Sequence, residues 1–230
     1  MSIAEKLKTV AENEEKVFTA GKKAEQTGFW SFYQQDGNRT SYDNAFAGVG
    51  WTDETFNPKH PIVPTSAYMM FRYAEITKDI FDCIDLSQST NNGYAFYGAK
   101  FKSIRVDVSG VSSLLSVLGQ SSATETINLK VSDEGVKVTD CFVNMRGLKN
   151  LTIEGVISEG NINIGVSTLL TVESAKSLIN ALKDISGTDK AYTYKVTFAP
   201  ATKTLLDAEG ATAPNGDTWL NYVFAKGWNR

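Results

Sequence analysis

Ser103-Ile104-Arg105-Val106-Asp107-Val108 alternates polar and apolar side chains, as do Thr126-Ile127-Asn128-Leu129-Lys130-Val131 and Asn150-Leu151-Thr152-Ile153-Glu154. A period of two is the mark of a strand with one face in a core and one in water. Phe81-Cys83-Ile84-Leu86 is a further short apolar strand candidate without strict alternation, and the markers Ile84, Ile104, Ile127 and Leu151 are separated by 20, 23 and 24 residues. Steps of that size match one turn of a leucine-rich-repeat coil. Between the strands run returning segments with their own apolar anchors: Tyr94-Phe96, Val111-Leu114-Leu115-Val117-Leu118 and Val138-Cys141-Phe142-Met145-Leu148. One such unit cannot bury its apolar face alone, so the units must stack. The expectation is a short solenoid over 80–170 with a single curved sheet and turn-rich or short helical returns.

Towards the C-terminus, Thr171 is placed to cap an amphipathic helix over 172–186, with Val172, Ala175, Leu178, Ile179, Leu182 and Ile185 on one face and Gly187 as its stop. A strand, Tyr192-Tyr194-Val196-Phe198, ends at Pro200, and a short helix runs from about Asp217 to Ala225. This region, 171–230, reads as the helical cap that a repeat stack needs at its end.

Towards the N-terminus, residues 34–79 form a connector rich in aromatic residues and turn formers such as Asp36-Gly37-Asn38, Gly48-Val49-Gly50 and Asn57-Pro58. Its aromatics read first as a mini-core for loops lacking regular structure. A sugar-stacking surface is the other reading, with Trp30, Tyr42 and Trp51 as the side chains to test. Residues 1–33 read as a helix. Ser2 and Glu5 form a capping box, and Ile3, Leu7, Val10, Val17 and Ala24 follow a coiled-coil spacing that Glu14 and Gly21 interrupt. So narrow an apolar stripe suits self-association, docking to a partner, or packing on its own body. The fold class expected is α+β: N-terminal helix, aromatic connector, repeat body, helical cap.

The chain carries 42% hydrophobic and 21% charged residues with a net charge of −3, the composition of a folded domain without a basic stripe for nucleic acid. No run of roughly 20 apolar residues could span a bilayer, and the charged amphipathic start is unlike a secretory signal. Cys83 and Cys141 lack metal or redox spacing and read as thiols buried in strands. The single histidine, His60, precedes Pro61 in a turn, away from any recognisable nucleophile. Asp79-Asp82-Asp85 and Asp133-Glu134 are the nearest acidic groupings, and solvated edge charge is the reading for the first. Neither a phosphate loop nor a nucleophile elbow is present. No catalytic, cofactor-binding or metal-binding residue is expected.

Several stretches carry a resemblance. Met1-Ser2-Ile3-Ala4-Glu5-Lys6-Leu7 with Ala11-Glu12-Asn13-Glu14, Phe29-Trp30 through Gln34-Gln35-Asp36-Gly37-Asn38-Arg39-Thr40, Asn44-Ala45-Phe46-Ala47-Gly48, Leu148-Lys149-Asn150-Leu151-Thr152-Ile153-Glu154-Gly155 and Asn215-Gly216-Asp217-Thr218-Trp219 are similar to proteins of phages and prophages of gut bacteria. These resemble degenerate leucine-rich-repeat proteins encoded near phage structural genes. The resemblance implies a virion component of the tail, baseplate or fibre region, made in the host cytoplasm. It would form homo-oligomers, contact other virion proteins and meet a host-surface glycan or protein. The alternatives are a bacterial surface leucine-rich-repeat adhesin and, further off, a glycan-degrading enzyme.

Overall fold

The computed structural model describes residues 41–51, 62–77 and 79–230. The expected helix over 1–33 and its seam residues Ile3, Leu7, Val10, Val17 and Ala24 lie outside the described residues, as do Trp30 and His60. The described chain is mixed α/β, with three α-helices and small parallel sheets.

The alternating stretches become β3 (Ser103–Asp107), β5 (Thr126–Lys130) and β7 (Asn150–Glu154), a parallel sheet in the order β3-β5-β7. Ile104 pairs with Ile127 and Ile127 with Leu151, so the apolar phase of the sequence is the register of the sheet. The inward residues Ile104, Val106, Ile127, Leu129, Leu151 and Ile153 all join the core.

A single curved sheet was expected, and the structure corrects this. The returns also form strands: β4 (Ser113–Leu115), β6 (Val136–Thr139) and β8 (Ile157–Glu159) make a second parallel sheet in the order β4-β6-β8, with an irregularity at Val136/Lys137. Three or four residues are too few to show a clear period, but stacking brings their amides beside one another, and pairing satisfies them. Two-stranded parallel sheets join β1 (Gly50–Trp51) to β2 (Glu75–Ile76), and β9 (Ile162–Ile164) to β10 (Val196–Phe198).

The connector is not irregular where it is described. Backbone with positive φ recurs in pairs four residues apart: Asn44 and Gly48, Met69 and Tyr73, Tyr94 and Gly98, Ser116 and Gln120, Asp140 and Asn144. These turns stack by backbone hydrogen bonds, as in Asn44 N–H to Tyr68 O (2.9 Å), Phe71 N–H to Ala95 O (2.7 Å), Phe96 N–H to Val117 O (2.9 Å) and Gln120 N–H to Val143 O (2.7 Å). Midway through each turn an apolar residue points inward: Phe46, Phe71, Phe96, Leu118 and Phe142, all buried. The rings of Phe46 and Phe71 stack at 5.1 Å, and those of Phe71 and Phe96 at 5.6 Å. Residues 41–51 and 62–77 carry the same turn as the body and share its core. Turns held in the left-handed region by Asn, Met and Tyr carry no strand period, so their repeat was hidden.

Three corrections concern the C-terminal region. Helix α1 is Val172–Ala181, shorter than 172–186, although Thr171 caps it as expected by accepting from Ser174 N–H at 3.3 Å. Leu182 leaves the helix in extended backbone and bridges to Ile157. Lys226 Nζ donates to the carbonyls of Ile179 (3.1 Å), Asn180 (3.1 Å) and Leu182 (2.5 Å), which satisfies the helix end without another turn. The strand at 192–198 shrinks to β10, since Tyr192 has φ of 60°. Pro200 ends a strand but also opens α2 (Pro200–Ala208), because a proline at the first helical position gives up an amide that has no partner there. Helix α3 (Trp219–Ala225) lies within the span expected from about Asp217 to Ala225, and Thr218 caps it by accepting from Asn221 N–H at 3.3 Å.

Candidate binding surface

The outward side chains of β3, β5 and β7 fall into rows because the three strands pair in register. Arg105, Asn128 and Thr152 form one row, and Asp107, Lys130 and Glu154 the next. With Phe81, Ile84 and Asp85 at one side they line an open groove of about 310 Å³. Polar groups over an apolar floor, on a rigid sheet, are what a recognition face requires.

The charges on this face are mostly matched to each other. Lys130 Nζ lies 2.9 Å from Asp107. Burial raises the Asp107 carboxyl, but hydrogen bonds from Ser109 and Lys130 outweigh it, and the pKa falls below the ordinary 3.8. Asp107 in turn raises Lys130, with a smaller contribution from Glu154. Arg105 reaches back to Asp82 at 2.8 Å and Asp79 at 3.3 Å. Two of the three acids in the Asp79-Asp82-Asp85 grouping are thus held by a guanidinium, whose hydrogen bond lowers Asp82. Asp85 accepts from Ser87 N–H at 2.9 Å. Among the described residues, no group of three or more His, Cys, Asp or Glu is arranged to hold a metal ion.

Asn128, Lys130 and Thr152 were not singled out from the sequence. Their signal was there, in the polar positions of the alternating strands, but nothing marked those positions as a surface until the register placed them side by side.

The residues expected to stack on sugar divide. Tyr42 is 5% exposed and sits in the core, on the side of the mini-core reading, so it offers no ring to a ligand. Trp51 belongs to β1 and pairs through its backbone with Ile76. Neither cysteine is in a disulfide. Cys141 is buried, and burial pushes its thiol up to about 12, whereas Cys83 is half-buried. Among the described residues, no helix is long and apolar enough to cross a membrane.

No protein-family model, curated protein or solved structure matches the chain.

Proposed function

We propose that this chain is a non-enzymatic binding component of a phage particle, located in its tail, baseplate or fibre region. In this reading a short leucine-rich-repeat-like solenoid presents a host-directed surface, and the segment before residue 41 attaches it to sister copies or to other virion proteins. The observation that carries the reading is the sheet β3-β5-β7. Its offsets of 23 and 24 residues have the size of a leucine-rich-repeat turn, and its outward rows make a polar face over a rigid core. Repeat stacks commonly use such a face for binding. The virion role rests on the sequence resemblance.

A glycan-degrading site is the weaker reading. A glycosidase general acid needs a carboxyl held protonated near neutrality, and hydrogen bonds to Ser109 and Lys130 hold Asp107 the other way.

Immunogold labelling and peptide mass spectrometry of purified particles test the assignment. The chain is expected in stoichiometric amount at the tail or baseplate. Recovery in the bacterial envelope instead, with none on particles, would support a surface adhesin. Light scattering of the full chain beside a form lacking residues 2–28, with circular dichroism of both, tests the attachment role. An oligomer is expected for the first and a folded monomer for the second.

A further inference from the structure

We propose that a tyrosine-paved surface on the turn side of the stack, formed by Tyr68, Tyr73, Tyr94 and Tyr97 around Arg72, binds an acidic glycan. The inference rests on the host-directed binding reading above, names a glycan as the ligand class, and assigns it a surface other than the sheet face.

Tyr68 and Tyr73 come from one left-handed turn and Tyr94 and Tyr97 from the next, and the turns are joined by Tyr73 N–H to Tyr97 O at 2.8 Å. The rings meet edge-on in a continuous chain: Tyr68 to Tyr94 at 6.1 Å, Tyr94 to Tyr97 at 5.5 Å, and Tyr97 to Tyr73 at 5.7 Å. Tyr73 is 51% exposed, and the other three are half-buried. Glycines make room for this paving. A Cβ on Gly98, whose φ is +65°, would fall 2.3 Å from Tyr73 Cδ1, and one on Gly93 would fall 3.2 Å from Tyr68 Cδ2. Stacked aromatics are common in cores, but four linked tyrosines that keep contact with water form a surface.

The charge at its centre indicates the ligand. Arg72 Cζ lies 4.9 Å from the Tyr73 centroid and 5.9 Å from that of Tyr97. Its guanidinium donates to Met69 Sδ at 3.6 Å, a weak acceptor, and among the described residues its Nε–H, shielded from solvent, has no acceptor. Among the described residues, no carboxylate lies within ion-pair distance of it, whereas Lys100 and Arg105 are paired to Glu75 and to Asp79 and Asp82. A half-buried guanidinium with no carboxylate partner among the described residues is suited to receive one, and its fork matches a carboxylate. A pyranose ring offers C–H bonds to the negative face of an aromatic ring and hydroxyls to tyrosine oxygens. A uronic acid unites both features in one ring. Single-stranded nucleic acid also stacks on aromatics, but it brings a phosphate with every base and calls for a basic groove. Among the described residues this patch has one cation, on a chain of net charge −3.

The test titrates the full-length protein with an oligogalacturonate and with a neutral oligosaccharide of equal length, read by calorimetry and tyrosine resonances. The acidic probe is expected to bind about tenfold more tightly, a difference a single charge-assisted contact can supply, and to weaken as salt rises. Arg72→Met should abolish the preference for the acid. Tyr73→Ala should weaken both probes, and Tyr73→Phe should retain most binding. The proposal fails if neither probe binds, or if binding is indifferent to Arg72→Met and Tyr73→Ala. Loss of binding with Asn128→Ala but not with Tyr73→Ala would move the glycan to the sheet face, ending this proposal while leaving the host-directed binding reading intact. Tighter binding of a single-stranded oligonucleotide, or a fall in mass by light scattering on Tyr73→Ala, would assign the surface to nucleic acid or to a second copy. Particle labelling stands apart from all of these outcomes, so failure of the virion assignment is read separately.

Discussion

The amide of Leu151 donates to the hydroxyl of Ser174 at 2.8 Å, so a helix side chain takes the bond that a further strand would have supplied. Ser177 does the same for Ile153 N–H at 3.0 Å, while Thr171 N–H and Ser174 Oγ both reach Lys149 O. Helix α1 thereby closes the edge of β7. An open edge of a parallel sheet invites pairing with another chain, and two serines on successive turns of one helix remove that risk.

Replacing Ser174 by alanine leaves the buried Leu151 amide without an acceptor and should cost about 1–3 kcal/mol. Ser177→Ala should cost less, because Ile153 is nearer to solvent. Denaturant midpoints measure both. The double variant should also gain mass with concentration as the edge becomes available. A double variant as stable and as monodisperse as the parent would show that the hydroxyls do not close the sheet.

Phe71 lies between Phe46 and Phe96 in the ring stack and is fully buried. Phe71→Ala should lower stability by about 3–5 kcal/mol, the usual cost of emptying a large core site, and the protein should still unfold in one transition. Loss of structure confined to residues before 80, seen by hydrogen exchange with the remainder intact, would restore the connector as a separate unit.

The two thiols should differ in reactivity. Thiolate is the nucleophile, and burial holds Cys141 protonated with a pKa of about 12. Alkylation of the native protein at pH 8 should modify the half-buried Cys83 first and reach Cys141 only as denaturant opens the core. Equal labelling rates would mean that the core around Cys141 opens freely.

Stability should decline in acid through a defined window. Glu125 is lowered from 4.5 by its hydrogen bond to Lys149, and Asp184 from 3.8 by the hydroxyl and amide of Ser186. Asp107 is lowered as well: burial acts against it, and Ser109 and Lys130 prevail. A carboxyl with a depressed folded-state pKa is protonated more readily in the unfolded chain, so its contribution is complete above the unfolded value and drains away as pH falls through the folded one. These groups predict little change from neutrality down to about pH 4.5 and a progressive loss below it. Asp107→Asn should make the acid limb shallower, as followed by thermal unfolding across pH.

Much of the central sheet was legible in sequence, because its information is local. Alternation fixes which face of β3, β5 and β7 is buried, and steps of 23 and 24 residues set Ile104 beside Ile127 and Ile127 beside Leu151. The start of α1 at Thr171 was legible for the same reason, since a cap acts within three residues. What the tertiary structure alone decided are contacts between distant residues. Nothing near Ser174 in the chain shows that its hydroxyl will meet Leu151, and nothing near Lys226 shows that it will end α1. Tyr68, Tyr73, Tyr94 and Tyr97 read as scattered aromatics until the left-handed turns stack them around Arg72. Propensity and period act over a few residues and are written in order along the chain. Edge closure, ring stacking and surface assembly are settled when all the turns pack at once, with the burial of a shared core as the driving force.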